Sequence, residues 1–125
     1  MIILRSKLSI IDNSGGRVAM CVRVLRRGAR HFGCPGDVVV LTIRRLWRIL
    51  SVKRVEIGGV YLGVLVAARK VMNRMCGMPV CARKNAVVLL TSEFEPIGKR
   101  VHYCMFFELR VLGFLRIVLM TRRIF

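Results

Sequence analysis

Cysteine and histidine are the side chains in this sequence best equipped for chemistry, and they fall into three close pairs: Cys76 with Cys81, His31 with Cys34, and His102 with Cys104. Thiolates and imidazoles at short spacing can hold zinc, or can act as a nucleophile and its base. No regular set of four ligands emerges from these pairs, and nothing marks an activated thiolate. The expectation is therefore no metal, no cofactor and no Cys/His nucleophile, with the thiols buried and inert. The five cysteines, Cys21, Cys34, Cys76, Cys81 and Cys104, are odd in number and irregular in spacing, which reads as reduced thiols in an intracellular compartment. The six acids, Asp12, Asp37, Glu56, Glu93, Glu95 and Glu108, form no carboxylate pair. No Gly-Lys-Ser/Thr loop is present to cradle a phosphate. The chain reads as non-enzymatic.

Its chemistry is instead that of fixed positive charge. Arginine and lysine total 23 against six acids, a net charge of +17 in 125 residues. Hydrophobic residues still make up 55% of the chain, enough for one modest core. A surface so poor in acids cannot pair its own charges, and a polyanionic partner relieves the self-repulsion. Of the 23 basic residues 18 are arginines, whose planar forks match phosphate oxygens two at a time. No apolar run approaches the roughly 20 residues of a helical membrane span. The start of the chain lacks the order of a signal or transit peptide, so nothing is expected to be removed. Nucleic acid is the partner these features favour.

The elements that must position the arginines are short and apolar. Leu8 to Ile11 forms a first strand, stopped by Asp12-Asn13-Ser14-Gly15-Gly16. Val18 to Leu25 alternates: one face carries Val18, Met20, Val22 and Val24, and the other ends in Arg23, the pattern of a half-exposed strand. Asp37 to Ile43, Val60 to Ala68 and Ala86 to Thr91 complete five runs, several opened by glycine turns. Asp12 and Asn13 suit a turn capped by their own side chains, and Asp37 is expected to accept hydrogen bonds in another. Five short strands without a long helical pattern predict a mainly β fold, a small five-stranded, OB-like barrel over about residues 1–91. The remainder, about 92–125, reads as a C-terminal loop and helix region of the same single domain. Phe106 to Leu112 can make one or two helical turns with Gly113 as a stop, Glu108 and Arg110 lying on the polar face. Phe114 to Met120 can be strand or helix.

The charges fall between these strands. The candidate RNA-binding residues are Asn13, Ser14, Arg17, Arg26, Arg27, Arg44, Arg45, Arg48, Lys53, Arg54, Arg69, Lys70, Arg74, Lys99, Arg100 and Arg110. Trp47, among them, can stack on a base or pack on protein. Loop-borne arginines on a rigid barrel suit folded RNA read by its backbone. A rival reading is a free single-stranded nucleic-acid-binding, OB-like module. It needs several aromatics on a strand face, whereas most of the six phenylalanines come late in the chain.

The stretch Leu8-Ser9-Ile10-Ile11-Asp12-Asn13-Ser14-Gly15-Gly16 resembles the start of the universal large-subunit ribosomal protein fourteen family. The likeness continues through Met20 to Leu25, Gly36 to Val39, Asn85 to Leu90, Glu95-Pro96-Ile97-Gly98-Lys99-Arg100 and Glu108 to Arg110, in family order over nearly the whole chain. It departs from the family at Tyr103-Cys104, where Gly-Pro is usual, and at Ala67, Cys76 and Ala82. The resemblance implies a five-stranded barrel with a projecting β-ribbon and short C-terminal helices. It implies a structural constituent of the large ribosomal subunit that contacts large-subunit rRNA and neighbouring large-subunit proteins. It further implies small-subunit rRNA as a partner at an intersubunit bridge, and a ribosome silencing factor as a visitor to the exposed face. The likeness starts near residue 1, which implies a bacterial or organelle-encoded chain; the high apolar content and five cysteines make a mitochondrial ribosome the expected home, the alternatives being bacterial cytoplasm or plastid.

Overall fold

The computed structural model describes residues 2–25, 32–48 and 54–125. Among them the chain runs β1 (Lys7–Ile10), β2 (Gly16–Val24), β3 (Val38–Leu46), β4 (Val60–Ala67), β5 (Met72–Asn73), β6 (Pro79–Val80), β7 (Ala86–Leu90), α1 (Glu108–Val111) and α2 (Leu115–Leu119). The five expected runs are β1, β2, β3, β4 and β7, and they close into a barrel in the order β1-β2-β3-β4-β7. All neighbours pair antiparallel except β1 and β7, whose parallel pairing closes the ring. Register shifts in the pairing of β2 with β3 lie between Gly16 and Val18, Val18 and Ala19, and Cys21 and Arg23. Bulges of this kind add the bend and twist that closure needs.

Leu8, Ile10, Ala19, Cys21, Val39, Leu41, Ile43, Leu65, Val87 and Leu89 fill the barrel, with Ile2 and Val55 buried in the same cluster. A second core lies outside the ring. There the outer faces of β4 and β7, with Val64, Val66, Val88 and Leu90, are covered by Val101, Met105, Phe106, Leu109 and Ile117. This second layer explains why β7 reads as an unbroken apolar run, since a strand buried on both faces does not alternate.

β2 alternates in the opposite sense from its most apolar face. Ala19 and Cys21 point inward and are fully buried, while Val18 and Met20 are half-buried and Val22 is 46% exposed. The narrow interior is already occupied by Leu41, Ile43 and Leu8, which favours the small side chains of β2 on that side.

The C-terminal region resolves into helix in both places. α1 stops at Gly113, whose φ of 88° suits a residue without a Cβ. Phe114 to Met120 yields α2 rather than a strand. β5 and β6 form a separate two-stranded ribbon. Cys76 and Cys81 lie at and just beyond this ribbon and are exposed, so burial of the thiols is complete only at Cys21. A two-stranded ribbon is too thin to cover both of its faces.

Candidate nucleic-acid interface

The registers set two rims on the barrel. At one rim β1 ends and β2 begins, and the 12–16 turn meets residues 46–48, residues 54–59 and the 91–100 loop. The turn is built on Asp12. One carboxylate oxygen accepts from the Ser14 N–H at 3.2 Å and from the Ser14 hydroxyl; the other accepts from the Leu89 N–H at 3.0 Å. Asp12 is only 4% exposed, and burial raises its pKa above the usual carboxylate value against the lowering effect of these donors.

Asn13 reaches the other way. Its side-chain oxygen accepts from the backbone N–H groups of Lys99 at 2.7 Å and Arg100 at 3.2 Å, and its own N–H donates to the Arg100 carbonyl. Gly98 lies so close that a Cβ there would stand 2.7 Å from the Asp12 Cβ. Arg54 donates from its guanidinium to the Ile97 carbonyl at 2.6 Å and from its backbone N–H to the Ser14 carbonyl. The Asp-Asn-Ser-Gly and Glu-Pro-Ile-Gly stretches, some 80 positions apart, are thus one clamped unit.

This unit gathers Asn13, Arg17, Arg44, Arg45, Arg48, Arg54, Lys99 and Arg100 at one rim, and each of these cations is exposed. Arg44 touches the Met20 sulfur at 3.6 Å. Arg17 lies over the Trp47 ring, 4.9 Å from its centroid, and Trp47 itself is 41% exposed. Ser14 belongs to the scaffold, since it is fully buried with its hydroxyl on Asp12. Arg69 and Lys70 stand at the opposite rim, Lys70 over the Phe32 ring at 5.5 Å, and Arg110 is exposed on α1. Arg74 is turned inward to protein: it grips Glu108 at 2.7 and 3.1 Å and donates to the Phe125 carbonyl, tying the ribbon to α1 and the C-terminus. That hydrogen bond holds the Glu108 carboxyl below its usual pKa. Sequence spacing gave no hint of this pair, since its members are 34 positions apart. Arg26, Arg27 and Lys53 lie outside the described residues.

Two grooves adjoin the cationic rim. One, of about 630 Å³, runs along β1 and is lined by Arg17, Trp47, Asn13, Lys84, His102 and Tyr103 among others. The second, of about 620 Å³, is lined by Arg100, Arg122 and Arg123 and shares His102 and Tyr103 with the first. The tandem Arg122-Arg123 after the last apolar segment was a visible but unused signal in the sequence. His102 stood out in the sequence only as a neighbour of Cys104, and Tyr103 only as a departure from the family; the packing of residues 101–105 beside β1 brings both to the grooves.

The family model of ribosomal protein L14p/L23e matches residues 1–125, the whole length of the sequence. The chain belongs to this family. As an L14p/L23e member it is a structural protein of the large ribosomal subunit, and its partners are rRNA and other ribosomal proteins. Among its described residues no helix is long and apolar enough to cross a membrane. The two clamped stretches are also the ones whose combination is the most specific part of the family likeness in the sequence.

Proposed function

We propose that this L14p/L23e protein binds large-subunit rRNA by its backbone and stands at the intersubunit face, with small-subunit rRNA as its partner in a bridge. The observation that carries the reading is the cationic rim, where exposed arginines are mounted on a turn and a loop clamped by buried hydrogen bonds. Guanidinium groups held at fixed spacing offset phosphate repulsion where RNA segments meet, and they do so without catalysis. Arg69, Lys70 and Arg110, set apart from the rim, suit contacts to a second RNA segment. The exposed apolar residues Val111, Leu115 and Leu119 on the short helices suit a protein neighbour or a silencing factor. The high apolar content and five free cysteines favour a mitochondrial ribosome.

Sedimentation of the native protein tests this reading. Co-migration with large subunits through a high-salt gradient is expected, in the organelle fraction. Recovery as a free protein, or on short single strands, would sink it.

A further inference from the structure

From the two grooves that meet at His102 and Tyr103, we infer that the surface takes an unpaired nucleotide of a folded RNA, its base in the Trp47 groove and the adjoining phosphates in the arginine groove. The inference rests on the RNA-binding reading above and deepens it. The Trp47 groove, at about 630 Å³, falls within the roughly 300–1,000 Å³ of sites that enclose a small molecule. An A-form duplex offers phosphates and a shallow groove edge, and its paired bases cannot enter such a groove. A single extruded base is small enough to do so.

The walls have the matching chemistry. Arg17 lies over Trp47 in a cation–π contact, and both are groups on which a base can stack. Tyr103 offers a second ring and Lys84 a cation in the same groove. Beyond His102 and Tyr103 the lining changes to Arg100, Arg122 and Arg123, all exposed, a set suited to phosphate oxygens. The pair His102-Tyr103 borders both spaces, so a strand crossing it leaves its base on one side and its backbone on the other. The Asn13 side-chain oxygen accepts from the Arg100 N–H, which fixes the second groove relative to the first.

Trp47 is the only tryptophan in the chain, so its fluorescence reports on this groove alone. The full-length protein would be titrated at moderate salt, about 0.15 M, with a six-nucleotide single-stranded RNA, and with a fully paired duplex of the same sequence. The expected result is quenching of Trp47 by the single strand and little by the duplex. Trp47→Leu should weaken single-strand binding about tenfold, read by filter retention, and weaken duplex binding much less. Arg122→Ala with Arg123→Ala should lower the slope of log single-strand affinity against log salt by about 1.4 while the quench at saturation persists. Equal quenching by strand and duplex, or strand binding with no quench, overturns the inference and leaves the RNA-binding reading standing. Binding of neither RNA overturns both.

Discussion

Asp12 shows how one buried residue can hold a cationic surface in shape. Its carboxylate is buried at a cost that raises its pKa, yet it faces three donors, from Ser14 and Leu89. Asparagine would remove the charge but turn an NH2 group toward at least one of those donors. An unsatisfied buried donor costs about 1–3 kcal/mol, which outweighs the relief of desolvation. Asp12→Asn is therefore expected to lower the unfolding free energy by that much, read as a lower urea midpoint at unchanged slope, and an unchanged midpoint would refute the role given to Asp12. Glu108 behaves in the opposite sense with pH. Its folded pKa lies below the unfolded value of about 4.3, so the stability it adds is complete above that value and is lost as pH falls through the folded one. The stability difference between the native chain and Glu108→Gln should thus be present near neutrality and shrink below about pH 4. A difference that stays constant down to acid pH would show that the Arg74 pair contributes nothing.

At the scale of elements, the 96–100 loop depends on a close approach. Alanine at Gly98 places a methyl group 2.7 Å from the Asp12 Cβ and 3.1 Å from the Asn13 side-chain oxygen. Neither neighbour can yield without breaking the clamp, so Gly98→Ala is expected to cost about 1–3 kcal/mol, read by chemical denaturation. β3 offers a contrasting test. The Thr42 hydroxyl is buried with no hydrogen-bond partner among the described residues, so Thr42→Val should be neutral or stabilise by up to about 1 kcal/mol; a loss of stability would point to a hidden partner. The barrel strands themselves were legible in the sequence, because β-branched runs between glycine turns have few other ways to fold. The inward face of β2 was not. Ala19 and Cys21 are smaller than Val18, Met20 and Val22, and only the closed ring, where Leu8, Leu41 and Ile43 already fill the interior, turns the small face of β2 inward. Legibility of the interface followed the same divide. The rim arginines adjacent in sequence could be foreseen as a group, while the Arg74–Glu108 pair and the His102-Tyr103 border depend on distant segments meeting.

For the whole molecule the governing quantity is the imbalance of 23 basic residues against six acids. The described ion pairs spend few of the cations: Arg74 with Glu108, and Arg116 with Glu95 on the exposed surface. The rim arginines instead face solvent close to one another, held there by the clamp rather than by opposite charge. In the free chain their mutual repulsion opposes the compact state, and it reaches across the molecule whenever the Debye length exceeds their spacing. Added salt shortens that length from about 30 Å at 0.01 M to about 8 Å at 0.15 M, so screening should relieve much of the penalty. The melting temperature of the free protein is expected to rise over this range, and to rise at low salt on addition of a short RNA. A large gain with RNA at low salt and a small one at high salt would identify charge neutralisation as its source. A melting temperature indifferent to salt would mean that the arginines are already compensated within the fold, and with that the physical argument for a polyanionic partner would fall.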